Sequence, residues 1–238
     1  MENWLVAIAL NTVLLGIAYL APVKVLTPMG LLHAWFLGVM TWGILGAPGY
    51  AVVFFYLIAG SAVTKLGYAR KQALGIAEKR GGARGPANLW GSALTGLVCA
   101  FGYLWQPNPL WLVAYVASFS TKLSDTVASE VGKTYGKSTY LITTLKPVPP
   151  GTEGAVSLEG TLAGIAASVV IAVLGWAIGL ISPIAILWCV IAAFFATTIE
   201  SLLGTVQDQL KLTNEVVNGI NTAIGALIAW GLALIGGG

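Results

Sequence analysis

Apolar residues fill this chain in long runs rather than in alternation. The runs lie near residues 3–20, 28–45, 48–64, 89–105, 109–124, 155–180, 184–206 and 215–235. Short turn signals separate them, among them Ala21-Pro22, Gly46-Ala47-Pro48-Gly49, Gln106-Pro107-Asn108-Pro109 and Ser182-Pro183. Each run, of roughly 17–25 residues, is long enough to cross a hydrocarbon core of about 30 Å as a helix. The pattern predicts an all-α, polytopic membrane protein with about eight transmembrane helices in a single transmembrane domain over residues 1–238.

The charges follow the same alternation. Lys24 follows the first run; Lys65, Arg70, Lys71, Lys79, Arg80 and Arg84 follow the third; a polar stretch at 120–161 follows the fifth; Asp208, Lys211 and Glu215 follow the seventh. The intervening connections carry no charge. Eight spans put all the charged connections on one side, and the positive-inside rule makes that side the cytoplasm, with both termini on the other. One span more or fewer would scatter the basic loops over both faces. Cytoplasmic loops 65–88 and 125–154 are therefore expected to contribute to any site.

Composition agrees with the pattern. The chain is 57% hydrophobic and 9% charged, with a mean hydropathy of +0.85, which excludes a soluble core. The first run directly follows Met1-Glu2-Asn3, lacks a basic leader and shows no cleavage site before Pro22, so it reads as a retained span with the chain starting near Met1. Cys99 and Cys189 lie inside apolar runs without CxxC or Cys/His spacing, which makes neither a zinc site nor a disulfide framework.

The densest polar stretch, STKLSDTVASEVGKTYGKSTYLITTLKPVPPGTEGAVSLEGT at 120–161, holds Asp125, Glu130, Lys133, Lys146, Glu153 and Glu159. Gly132-Lys133-Thr134 has the ending of a phosphate-binding P-loop, but Val127 stands where the first glycine is required and no strand precedes it. The P-loop is rejected. Ser124 to Lys133 is compatible with a helix on which Asp125, Ser129 and Gly132 share a stripe, while Glu130 lies about 140° around from Asp125. Both carboxylates can share one metal only if the helix ends or bends between them. From Thr143 to Gly154 the prolines and glycines make a loop that opens into the sixth run. Glycines allow close backbone approach, Thr143, Thr144 and Thr152 donate, Lys146 supplies a point charge, and the following helix N-terminus favours anions, a combination that suits a polyphosphate. Ser157 and Glu159 fall at the start of that helix, where Glu159 can hold magnesium through oxygen or simply complement the helix dipole.

Other polar positions have two readings each. The basic 65–88 loop is either a topology determinant beside anionic headgroups or an electrostatic lid for a polyanion. His33, alone in the second run, reads as a packed, hydrogen-bonded residue. Glu200 lies within the seventh run with Thr197, Gly204 and Gln207 on its stripe, and an intramembrane carboxylate is a functional candidate. Asn214, Asn218, Asn221 and Gly225 recur on one face of the eighth, where amides bond neighbouring helices or serve a site. Gly160-xxx-Gly164 and Gly175-xxx-Gly179 mark close helix packing.

Taken in order, TKLSDTVASEVGK, LITTLKPVPPGTEGAVSLEGTLAG, IESLLGTVQ and LTNEVVNGINT resemble, over essentially the whole chain, the membrane-protein family that contains phytyl-phosphate kinase of photosynthetic organisms. The Lys-bearing loop followed by Ser-x-Glu-Gly-[ST] is more distantly similar to the CTP-using part of phytol and dolichol kinases. Pro150 departs from the pattern, standing where a basic residue is expected. The resemblance implies a membrane kinase that transfers a phosphoryl group from a nucleoside triphosphate, with CTP expected, to phytyl or a related isoprenyl monophosphate. The diphosphate would feed tocopherol and prenylquinone synthesis, in the plasma or thylakoid membrane of a photosynthetic prokaryote.

The roles expected on this basis are specific. Asp125, Glu130 and Lys146 are catalytic; Asp125 and Glu130 lead as Mg2+ ligands, with Glu159 and Glu200 behind them. Lys122, Ser129, Lys133, Thr143, Thr144, Gly151, Thr152, Gly154 and Ser157 contact nucleotide or phosphate, and Asn214, Asn218 and Asn221 position a phosphate or metal-bound water. The lipid bilayer is a partner and no nucleic acid is expected. Two other enzyme readings are a CTP-dependent isoprenoid-alcohol kinase and a cytidylyltransferase making a CDP-lipid. The non-enzyme reading is a transporter, against which no internal repeat and an unexplained glycine-lysine loop both count.

Overall fold

The computed structural model describes residues 2–22 and 24–236, so the expected start at Met1 lies outside the described residues. The described α-helices are α1 (Glu2–Leu20), α2 (Pro28–Thr64), α3 (Tyr68–Ala73), α4 (Pro86–Trp105), α5 (Pro109–Tyr135), α6 (Leu158–Ala177), α7 (Pro183–Gly204) and α8 (Asn214–Gly236). Six of them, α1, α2, α4, α6, α7 and α8, are long and apolar enough to cross a membrane. The all-helical membrane architecture expected from the apolar runs is the one observed.

Two local departures have simple causes. The sixth apolar run does not begin as helix: β1 (Tyr140–Leu141) pairs antiparallel with β2 (Ala155–Val156), closing the proline-glycine loop as a hairpin. Helix α6 starts only where Ser157 can cap it, its Oγ accepting from the Gly160 amide at 3.1 Å. Of the four packing glycines, Gly179 instead sits past the end of α6 at φ 78°. There the Leu180 amide donates to the Gly175 carbonyl and the Gly179 amide to that of Trp176, the double bond of a left-handed helix stop.

Helix α2 is two arms. At Gly46 the backbone leaves the helical region (φ 65°, ψ −161°), two residues before Pro48, and the second arm folds back along the first. Gly30 and Gly60, which a straight helix would hold about 45 Å apart, both abut Arg84. A Cβ on Gly30 would lie 2.5 Å from its carbonyl oxygen and one on Gly60 2.7 Å from its Nη2.

Helix α5 is the hub. It packs against α2, α4, α6, α7 and α8, and every residue from Val113 to Asp125 is buried, so it presents no lipid-facing stripe. Glycines on α6 let it approach closely: a Cβ at Gly160 would lie 2.5 Å from the Ala128 carbonyl oxygen, at Gly164 2.9 Å from that of Ser124, and at Gly175 2.9 Å from Val116 Cγ1. His33 is satisfied, its Nδ1 accepting from the Trp90 indole at 3.0 Å.

The charged connections gather at one end of the bundle, leaving Glu2 of α1 at the other. The Arg84 amide donates to the Val25 carbonyl and the Thr27 amide to the Arg84 carbonyl, which brings the first charged connection beside the second. Parts of the 75–84, 122–133, 151–153 and 207–218 segments line one cavity at that end. Trp4 packs on Gly43, near the α2 fold-back, and Gly236 packs on Trp188, near the start of α7. The described ends of the chain therefore share the end opposite the charged one.

Candidate active site

Two cavities adjoin at the charged end of the bundle, beside α5. The larger, of about 590 Å³, is polar and is walled by the Gly75–Arg84 segment, Asn88, the α5 face from Lys122 to Lys133, Gln207, and Asn214 to Asn218. The smaller, of about 340 Å³, lies between α5, α6 and α7 under the Gly151–Ser157 limb of the hairpin, and reaches Ile165 and Phe194. Asp125, Ser129, Lys133, Gly151, Glu153 and Glu200 line both. The two cavities thus adjoin along that shared wall.

Side chains at the junction are held by their neighbours. Lys122 is buried, its Nζ donating to Asp125 Oδ2 at 2.5 Å and to Asn218 Oδ1 at 2.7 Å. An ammonium has three donors, so one remains for a ligand. Thr126 returns its hydroxyl to the Lys122 carbonyl at 2.9 Å. On α7, Thr197 and Ser201 do the same to the Ala193 and Thr197 carbonyls, while Glu200 lies on the cavity wall between them. The glycine turn is pressed onto α7, where a Cβ on Gly154 would lie 2.7 Å from the Ser201 carbonyl oxygen.

Glu130 has another fate. Helix α5 continues unbroken from Pro109 to Tyr135, so the bend needed for Asp125 and Glu130 to share an ion is absent. Glu130 instead takes a buried ion pair with Lys71, whose Nζ also donates to the Thr64 carbonyl at 2.9 Å, and Lys133 stands 3.8 Å from its other oxygen. Among the described residues no group of three His, Cys, Asp or Glu side chains is placed to hold a metal by itself.

The remaining expected residues divide by position. Ser129, Lys133, Gly151, Thr152, Gly154 and Ser157 line the smaller cavity, and Asn214 and Asn218 the polar one. Thr143, Thr144 and Lys146 are exposed on the outer limb of the hairpin and line neither; Glu159, half-buried, also lies outside both. The hairpin explains the split: the Leu141 amide bonds the Lys146 carbonyl at 2.9 Å, folding that limb back on itself. Asn221 is wholly buried with neither amide atom bonded, deeper than both cavities. Sequence reasoning passed over Glu153 and Arg84. Glu153 sat inside the recognised Gly-Thr-Glu-Gly turn, and that placement was the available signal. Arg84 gave none: it is buried, with Nη1 bonded to the Tyr56 hydroxyl and its guanidinium 5.0 Å from the Tyr56 ring centroid.

Residues 11–226 match the family described as "Integral membrane protein DUF92". The chain belongs to this family. Among its relatives, an uncharacterized membrane protein of Synechocystis sp. is 60% identical over 234 residues, covering 96% of this chain and 91% of that protein. Protein VTE6, chloroplastic, of Arabidopsis thaliana is 43% identical over 236 residues, 95% of this chain and 71% of the plant protein. An uncharacterized membrane protein of Methanocaldococcus jannaschii is 32% identical over 179 residues, 73% of this chain and 71% of its own length. No solved structure matches. The family the ordered motifs pointed to is thus the one found, and as an integral membrane family DUF92 accords with the helical bundle.

Proposed function

We propose that this DUF92 protein is a membrane kinase that transfers the terminal phosphoryl group of a nucleoside triphosphate, CTP by the resemblance, to phytyl or a related isoprenyl monophosphate. The observation that carries the reading is the pair of cavities with one shared wall. The polar cavity suits a nucleotide, and the cavity reaching Ile165 and Phe194 between α6 and α7 suits a phosphorylated apolar chain. Similarity to the chloroplastic VTE6 protein supports a role in prenyl-lipid metabolism in a photosynthetic membrane.

The chemistry asks little covalent help of the protein. An oxygen of the prenyl monophosphate attacks the terminal phosphorus; the bond to the β,γ-bridging oxygen breaks, and the nucleoside diphosphate leaves with its electron pair. The acceptor is already ionised, so positioning and charge neutralisation dominate. Lys122, fixed by Asp125 and Asn218, and Lys133 at the shared wall supply fixed positive charge beside the transferred group. Ser129 and the Gly151–Gly154 backbone supply neutral donors in the smaller cavity. One or two of the cavity-wall carboxylates Asp125, Glu153 and Glu200 would hold Mg2+ through oxygen, with substrate phosphates and water completing the shell. Bound there, the ion would neutralise phosphate charge. Eight crossings are supported by counting the two arms of α2 and the buried hub α5 with α1, α4, α6, α7 and α8, and the positive-inside rule favours the charged end in the cytoplasm.

The test is product analysis with purified protein, CTP, Mg2+ and phytyl monophosphate. CDP and phytyl diphosphate should appear one to one. Release of pyrophosphate with a CDP-lipid would replace the kinase by a cytidylyltransferase.

A further inference from the structure

We propose that the segment from Gly75 to Gly82 is a clamp for the polyphosphate of the nucleotide, with Lys79 and Arg80 as its contacts. The proposal rests on the kinase reading above. Of the loop's basic residues, three are occupied inside the protein. Arg70 donates from Nη1 to the Thr134 carbonyl at 3.1 Å, Lys71 is paired with Glu130, and Arg84 is bonded to Tyr56 and to the Val25 and Thr27 backbone. These contacts pin the segment at both ends. Lys79 and Arg80 lie between the pins, exposed, on the wall of the polar cavity. Neither is in an ion pair or a side-chain hydrogen bond among the described residues.

The backbone between the pins is built for a sharp, open turn. Arg80, Gly81 and Gly82 all take positive φ, at 57°, 65° and 80°, so a non-glycine residue holds a left-handed conformation that costs energy unless it has a use. A Cβ added at Gly75 or Gly81 would meet nothing within 4 Å, while one at Gly82 would lie 3.1 Å from Thr64 Cγ2, so the tip of the turn projects from a base that rests on the end of α2. Its cations stand on the cavity wall with Lys122 and Lys133, while Glu78 of the turn itself and Asp125, Glu130, Glu153, Glu200 and Glu215 supply the acidic part of the same wall. Cations on a projecting turn and carboxylates on the packed helices and hairpin divide the work that a metal-polyphosphate requires.

The segment also touches the junction. Ile76 packs on Gly151, where an added Cβ would lie 2.7 Å from Ile76 Cγ2, and Gly151 lines both cavities. Closure of the turn on a triphosphate is therefore felt at the wall that the acceptor phosphate shares.

Phosphate groups reach this end of the molecule from two sources, a nucleotide or an anionic lipid headgroup, and the experiment separates them. The protein is placed in nanodiscs of phosphatidylcholine alone, and binding of β,γ-methylene-CTP with Mg2+ is compared with binding of phytyl monophosphate. Each lost charge-assisted contact is worth roughly tenfold, so Lys79→Gln/Arg80→Gln should weaken the analogue at least tenfold and leave phytyl monophosphate unchanged. Lys79→Arg/Arg80→Lys should stay within about threefold. Both variants keep the pins and should melt with the wild type. Analogue binding and turnover by the double Gln variant equal to wild type would overturn the clamp and leave the kinase reading standing. A defect that appears only in discs containing phosphatidylglycerol would assign the charges to lipid headgroups and overturn it too. Wild-type protein that binds phytyl monophosphate and no nucleotide would refute the kinase reading and the clamp with it.

Discussion

Two buried lysine–carboxylate pairs involve helix α5, and they differ in what they leave for function. Lys122 and Asp125 are three residues apart, leave 6% and 11% of their side chains exposed, and line the polar cavity with Asn218 as third member. Lys71 and Glu130 come from different elements, leave 1% and 4% exposed, and tie α3 to the end of α5. Both members of the first pair line the polar cavity; in the second only Glu130 reaches it, already shared by Lys71 and Lys133, while Lys71 lines neither cavity. A carboxylate in a polar stretch is thus not a catalytic candidate by residue type alone. Its partner decides.

Breaking the second pair should have the largest effect, and on stability. Removing one member of a buried ion pair costs about 3–5 kcal/mol because the other charge is stranded. Glu130→Gln and Lys71→Met should each lower the unfolding midpoint in detergent by that order, while Lys71→Met/Glu130→Leu should recover much of it. Equal stability of all these variants would erase the distinction between the pairs.

Breaking the first pair should act on rate. Asp125→Asn keeps shape, frees Lys122 and removes a carboxylate from the shared wall, so turnover should fall by roughly 10²–10³, on the scale of losing one preorganised electrostatic group. Its unfolding midpoint should move less than that of Glu130→Gln, because the cavity lets water reach the lysine. Steady-state kinetics and denaturation of the same samples check both halves.

The wall opposite the pairs is sharpened by packing. Gly160→Ala puts a methyl 2.5 Å from the Ala128 carbonyl oxygen, and overpacking of this kind costs about 1–3 kcal/mol. The α5–α6 spacing that frames the smaller cavity should open with it, raising the KM for phytyl monophosphate more than that for nucleotide. The smallest effect is expected at Lys146. It is exposed and outside both cavities, so Lys146→Met should leave stability within about 0.5 kcal/mol and turnover within about twofold. A large loss of rate would mean that the hairpin's outer limb turns inward when substrate binds.

How far these features were legible follows from their range along the chain. Helices and the charged end are written in local composition: apolar runs, Pro48 after Gly46, Ser157 before α6, and cations confined to alternate connections. Asp125, Ser129 and Lys122 were legible too, because one helix carries them at fixed spacing. The Lys71–Glu130 pair was not, since its members are 59 residues apart and meet only when α3 docks on α5. Arg84 likewise reads as one more loop cation until the two arms of α2 bring Tyr56 and Gly60 to it. Lys146 and Gly151 looked equivalent in one loop, and the β1–β2 ladder sends one limb outward and the other to the junction.

The central claim, that phosphoryl transfer occurs at the wall that Asp125 shares between the two cavities, beside Lys122, is tested most directly by following label from [γ-³²P]CTP into phytyl diphosphate. Purified wild-type and Asp125→Asn protein are compared at equal folded concentration with Mg2+ and phytyl monophosphate. Wild type should place the label in the diphosphate, and Asp125→Asn should fall at least a hundredfold below it. Label transfer by Asp125→Asn at the wild-type rate would contradict the account.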